Sequence, residues 1–388
     1  MSGNYQIGIE EEYFVVDTRT RNVRTTMPKK FFRSCKVRLQ NHVTNEMLQS
    51  QIEVMSWPCN TVAEVCQQVA HFRSVVGGEA ERFGLGIVAA GTHPLAMWRE
   101  QEQTAKARYS EVMSDIQMLG LRNMLCGMHV HVELPDPTRR VEVMYRAIPF
   151  LPLLLALSTS SPFWQGHRTG LLGYRLAAYD ELPRTGLPEL FKTAAEYGSY
   201  LETLVGAGVI KDSSYIWWAI RPSLRHPTLE LRVADVCTRV EDAICIAAIY
   251  RCLVRHLFEH PELNADMDVV DRALCEENKW RAQRYGTAAT FIDRRLMTAK
   301  PIESAVGDLL RMLAGDAEAF GCATEIHHAT KILKRGSSAN EQIRVYARAR
   351  IAGHSRIKAL RDVVDWLCRT TTEGCDPIWS AQQATGEV

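Results

Sequence analysis

An alternating stretch near the start of the chain, Gln6 to Asp17, carries three consecutive glutamates, Glu10, Glu11 and Glu12. Alternation predicts a β-strand, because successive side chains point to opposite faces. One face then holds Ile7, Ile9, Glu11, Tyr13 and Val15, and the other Gly8, Glu10, Glu12, Phe14 and Val16. Two carboxylates on one strand face, two residues apart, stand roughly 6–7 Å from each other. They repel, and burial raises their pKa values. A hard divalent cation removes the conflict: Mg²⁺ takes oxygen from one or two carboxylates and keeps positions open for phosphate. Taken alone, the stretch reads more simply as an edge strand with solvated charges.

Three further stretches change the balance. Met47 to Glu53 ends with Gln51 and Glu53 on one face. Met128 to Leu134 sets His129, His131 and Glu133 on one face. A His-x-His pair alone also suits zinc, but no Cys or third His stands at a supporting spacing. Thr228 to Ala234 sets Thr228, Glu230 and Arg232 on one face, where a cross-strand salt bridge is the plain reading. Four strands, each polar on one face and apolar on the other, predict a sheet that cups a polar, metal-lined channel. Arg175, Arg221 and Arg284 lie among Trp, Gly, Tyr and Pro. Arginines in such settings hold carboxylates or phosphates in bidentate fashion more often than solvated ones do.

The rest of the chain supplies the support. Helical spacing runs over 61–83, 140–158 and 240–260, and a short buried strand over 86–90 precedes the Gly91-Thr92-His93-Pro94 turn. After Pro261 the chain reads as nearly all helix: 269–284, 302–319, 323–334, 339–351 and 355–369. The class is therefore α+β, an antiparallel sheet with helices on one side. No Pro/Gly-rich linker divides it, so a single catalytic domain over 1–375 and a loose tail over 376–388 are expected.

Lys plus Arg is 46 against 45 for Asp plus Glu, which gives no basic patch for nucleic acid or membrane. The longest apolar run, 147–158, is too short to span a bilayer and is interrupted by Pro149 and Pro152. Eleven cysteines without a CxxC pair, and no charged-then-apolar leader, predict reduced thiols in the cytoplasm. Neither a GxxxxGK[ST] loop nor GxGxxG is present, so two common ATP-binding designs do not apply.

The stretches GIEEEYFVV (8–16), MLQSQIEV (47–54), AAGTHP (89–94), CGMHVHV (126–132), SPFWQG (161–166), WWAIRPS (217–223), PTLELRVAD (227–235) and RAQRYG (281–286) follow one another in order. With them the chain resembles the bacterial carboxylate–amine ligases classed as type 2 glutamate–cysteine ligases, relatives of glutamine synthetase. The resemblance implies a glutamine synthetase-like fold, with a six-stranded antiparallel sheet forming an open funnel backed by helices. It implies Glu10, Glu12, Glu53, His129 and Glu230 as ligands of Mg²⁺, with Mn²⁺ as a substitute, and His131 as a neighbour of that set. It implies Arg232 facing the phosphates of ATP, Arg175 and Arg284 as further ATP contacts, and Glu53, Arg221 and Arg232 as catalytic. The implied reaction is ATP-dependent amide formation through an acyl phosphate. Its partners are a small carboxylate and a small amine, and the enzyme is a homodimer or larger homo-oligomer. The competing expectation is a metal-dependent amide hydrolase that does not use ATP. Two positions depart from the family pattern. Arg168 replaces a common acidic residue and Glu133 a small one, and both are expected near the substrate end, where Arg168 either favours a more acidic substrate or pairs with Glu133.

Overall fold

The computed structural model describes residues 5–375, so the expected tail at 376–388 lies outside the described residues. The strands are β1 (Ile7–Asp17), β2 (Val43–Asn45), β3 (Gln51–Met55), β4 (Leu85–Val88), β5 (Met128–Glu133), β6 (Phe163–Trp164), β7 (His167–Arg168), β8 (Ile220–Pro222), β9 (Thr228–Leu231), β10 (Thr290–Asp293) and β11 (Thr298–Pro301). The main sheet runs β2-β3-β1-β5-β9-β8, six strands as expected, and β4 joins as a seventh by pairing with β1. Every pairing in it is antiparallel.

β1 organises this sheet because it is long. Residues Ile7–Glu11 pair with β5, while Phe14–Asp17 pair with β4 on the same edge. The other edge holds β3 through Glu10–Phe14. The sheet therefore divides along β1, with β5 and β4 following one another along the same edge.

The opposite face is closed by helices. Val62–Arg82 starts at a capping box between Thr61 and Glu64 and buries Val62, Val65, Val69 and Phe72, as the spacing predicts. Val240–Glu259 is buried on nearly every side and packs against the Val62–Arg82 helix, β5 and the Ala323–Arg335 helix. The apolar core runs without a break from Ile7 through this helix to Leu367.

Beneath β1, Glu11 points into this core and is only 1% exposed. Arg73 of the Val62–Arg82 helix meets it in a bidentate pair at 2.9 and 2.6 Å. The same guanidinium donates to the carbonyls of Thr238 and Cys237, each at 2.7 Å. The central glutamate of the three is thus a structural pin, and only its neighbours face the channel.

Three expectations need correction. The last third is not all helix: β10 and β11 form a hairpin that buries Phe291. The 302–319 helix breaks at Leu313, whose side chain turns fully into the core, giving Ile302–Met312 and Ala314–Phe320. The 140–158 helix narrows to a tighter turn at Ile148–Phe150, because Pro149 lacks the N–H a regular turn needs. Helical geometry nonetheless continues from Pro137 to Ser158, long and apolar enough to cross a membrane, yet 83% of its most apolar window is buried inside the fold.

Candidate active site

Strand register gathers the polar side chains. Glu12 lies opposite Glu53, Glu10 opposite His129, His131 opposite Glu230, and Glu230 opposite Arg221. All therefore share the concave face. Glu10, Glu12, Glu53, His129 and Arg221 line a cavity of about 250 Å³ together with Arg175 and Arg232, while Glu230 and His131 lie outside its lining. The Ala107–Ile116 helix covers it, with Val112 and Ile116 turned inward. A larger hollow of about 740 Å³ lies away from these groups, beside the β10–β11 hairpin. Two of its charged pairs are already matched, Lys300 with Asp293 and Arg294 with Asp271, and it gathers no metal-ligating cluster among the described residues, so the smaller polar cavity is the better candidate.

Two triads could hold metal ions. Ligand atoms of Glu10, His129 and Glu230 lie within 4.8 Å of one another, and so do those of Glu12, Glu53 and His129. The electrostatics fit a cation. Burial, and then the charge of Glu46, push Glu12 up to about 8, and the same two causes raise Glu53 well above the usual carboxylate range. Glu46 is itself raised by burial. Arg175, the Gly127 N–H and Arg232 relieve Glu12 only in part, as Lys106 does Glu53; a divalent cation would do more. Glu10 is held low, because hydrogen bonds from His129 and His131 outweigh its burial.

His129 completes the argument. Burial and the nearby Arg232 charge lower it to about 4, so the imidazole is neutral. Its Nδ1 is 3.1 Å from Glu10 Oε2, and Nε2 is buried with no hydrogen-bond partner. An Nδ1–H donated to Glu10 leaves the Nε2 lone pair available to a metal. His131 instead bonds Thr228 Oγ1 at 3.0 Å through Nδ1 and approaches Glu10 Oε1 at 3.4 Å, belonging to neither triad.

The arginines divide by partner. Arg221 clasps Glu230 at 2.7 and 3.1 Å, and Arg232 bonds the same carboxylate and the Tyr179 hydroxyl. Arg232 Nε is buried without a partner. These two charges hold Glu230 far below its ordinary range despite its burial. Arg175 bonds the carbonyls of Arg232 and Ala234 and lies so close to Gly127 that a Cβ there would meet its Nη2 at 2.1 Å. A side chain at Gly127 would therefore have to displace the Arg175 guanidinium, and the Gly127 N–H donates to Glu12 Oε2 at 2.6 Å.

The family model for glutamate–cysteine ligase family 2 matches residues 6–365. The chain belongs to that family. A glutamate–cysteine ligase 2 from Bradyrhizobium diazoefficiens is 48% identical over 347 residues, 89% of this chain and 80% of its own. One from Rhodospirillum rubrum is 45% identical over 371 residues, 95% of each chain. Among solved structures, glutamate–cysteine ligase of Francisella tularensis in complex with AMP superposes with TM-score 0.68 at 11% identity, over 96% of this chain and 90% of its own. The bifunctional glutathione synthetase of Pasteurella multocida gives 0.70 at 14% identity over 94% of this chain. The chain spans about half, 52%, of that bifunctional protein. These likenesses establish the fold, an α+β ligase architecture.

Set against that family, the cavity differs from the sequence reading in three respects. Glu46 is a fourth carboxylate in the wall, missed because it sits in the loop after β2, where no alternation marks a face. Arg284 lies outside the cavity and donates to Gly170 O at 2.6 Å. Arg168 lies on the exposed β6–β7 hairpin, and Glu133 sits at the end of β5, opposite Thr228. Among the described residues neither lines the cavity and no ion pair joins them, so the expected Arg168–Glu133 pair is absent.

Proposed function

We propose that this family member is an ATP- and Mg²⁺-dependent carboxylate–amine ligase. The observation that carries this reading is the pair of acidic triads around a neutral histidine whose Nε2 has no protein partner. Glu10, His129 and Glu230 would hold one cation, and Glu12 and Glu53 would hold another, with Mn²⁺ able to replace Mg²⁺. Bound there, such cations neutralise phosphate charge.

The chain's own residues do the rest. Arg232 places a guanidinium with an unpartnered Nε beside Glu230, where it can meet charge developing on the transferred phosphoryl group. Arg221 fixes Glu230 from the other side, and Arg175 adds positive charge beneath Glu12. The covering helix limits water at the cavity. The acid substrate's carboxylate attacks the γ-phosphate of ATP and releases ADP. The amine then attacks the acyl phosphate, forms the amide and releases phosphate, with one proton lost from nitrogen. The hydrolase reading is not supported: the family relatives are named as ligases.

The reading treats 1–375 as one catalytic unit, a cytoplasmic homodimer or larger homo-oligomer acting on small molecules. Light scattering checks the assembly. The function is tested by screening acid and amine pairs for ADP release, with Glu10→Ala as the blank. Amine-dependent ADP release by the wild type alone supports ligation, whereas amide cleavage without ATP would overturn it.

A further inference from the structure

The cavity is polar in a directional sense. Glu12, Glu46 and Glu53 crowd one side, and Arg221 and Arg232 stand on another. The lining arginines on the sheet and in its wall are each held by protein groups, although Arg232 and Arg175 keep a buried Nε without a partner. Arg221 and Arg232 share Glu230, and Arg175 is spent on backbone carbonyls and is 3% exposed. Arg108, on the covering helix Ala107–Ile116, is different. Its Nη2 donates to the Ser214 hydroxyl at 2.8 Å, and its guanidinium lies 5.2 Å from the centre of the Tyr215 ring. Among the described residues it faces no carboxylate at ion-pair distance.

The acids around Arg108 are occupied elsewhere. Glu111 pairs with Lys211 at 2.7 Å. Asp212 accepts from the Ser214 N–H at 2.8 Å and from the Ser214 hydroxyl. Ser214 also links the two arginines, since its carbonyl accepts from Arg221 Nη1 at 3.3 Å while its hydroxyl accepts from Arg108. Arg108 is thus an exposed residue of the cavity lining, tethered by one hydrogen bond and the Tyr215 ring on the side of Arg221, with most of its donors unassigned. A planar fork of this kind matches a carboxylate. The reacting carboxylate must lie near the metal-binding acids, so the anion Arg108 suits is a second one that takes no part in the chemistry.

We propose that Arg108 is a specificity-determining residue that holds the non-reacting carboxylate of an amino-acid substrate. This rests on the ligase reading, and the carboxylate belongs to either the acid or the amine. ADP release is measured with glutamate plus cysteine, with 4-aminobutyrate in place of glutamate, and with cysteamine in place of cysteine. Each analogue lacks only the α-carboxylate. Arg108→Gln should lower kcat/KM for the carboxylate-bearing member of one pair by roughly 10- to 100-fold, mainly through KM. The decarboxylated analogue of that pair should be equally active in wild type and variant. The pair whose discrimination collapses identifies the substrate held, and Arg108→Lys should restore part of the difference. The proposal is overturned if Arg108→Gln lowers both members of each pair equally, or changes neither. Wild-type protein that releases no ADP with any of these pairings overturns the proposal for these substrates, whereas silence across the whole screen of acid and amine pairs overturns the ligase reading itself.

Discussion

Replacing Arg73 with Met tests whether the buried face of β1 is pinned as described. Glu11 and Arg73 are both essentially inaccessible, and each oxygen of the carboxylate is matched by a guanidinium nitrogen. Tyr13 adds a hydroxyl to Glu11 Oε2 at 2.5 Å. Removing the cation leaves a buried, uncompensated carboxylate, which costs about 3–5 kcal/mol. The carbonyls of Cys237 and Thr238 lose their donors as well. Unfolding entropy of about 2.1 cal/mol/K per residue amounts to ~0.8 kcal/mol/K for a chain of this length. Arg73→Met should therefore lower Tm by about 4–6 °C. Glu11→Leu combined with Arg73→Met replaces the pair by apolar groups, which is often neutral. It should recover at least half of that loss, although the two carbonyls stay unsatisfied. Circular dichroism on wild type, both single variants and the double variant closes a double-mutant cycle. Glu10 and Glu12 face away from this pair, so the double variant should keep wild-type metal binding. Losses that simply add in the double variant, or an Arg73→Met protein within 1 °C of wild type, would refute the reasoning.

Two further outcomes follow from the charges. Glu53 is raised by burial and by Glu46, so without metal it destabilises the folded state at neutral pH. Glu53→Gln should raise Tm in EDTA, because the neutral amide carries no buried charge, while Mg²⁺ no longer stabilises the protein; scanning fluorimetry with and without Mg²⁺ checks both. Asp242 is held below its ordinary range because a hydrogen bond from His328 at 2.8 Å and the Arg335 charge outweigh burial. Its contribution is then present above the ordinary carboxylate pKa and lost as pH falls through the depressed value. The Tm gap between wild type and Asp242→Asn should be full at pH 6 and shrink as pH falls below the ordinary carboxylate pKa of about 4; a gap that widens in acid would contradict the sign.

What was legible in the sequence is what a period of two can carry. Alternation assigned Glu10, Glu12, Glu53, His129 and Glu230 to strand faces, and antiparallel register then brought those faces together. The same alternation put Glu11 among Ile9 and Tyr13, and it could not show that a charge there is tolerated. The partner that makes it tolerable, Arg73, is on a helix remote in sequence. Glu46 and Arg108 escaped for a related reason: a loop and a short covering helix carry no strand period, so their place at the cavity depends on packing. Arg284 shows the converse. Its aromatic and glycine surroundings looked like a phosphate clamp, yet they serve a loop contact at Gly170 and a stacking contact with Tyr285. The hairpin β10–β11 turns through Arg294, Arg295, Leu296 and Met297 with no glycine, so no turn residue announced it. β1 takes β5 along one half of an edge and β4 along the other. No local pattern distinguishes a strand with one partner per edge from a strand that hands over between two. The chemistry of this site is therefore written in side-chain alternation, while its shape is written in non-local pairing, which is why the donors could be named before the cavity could be drawn.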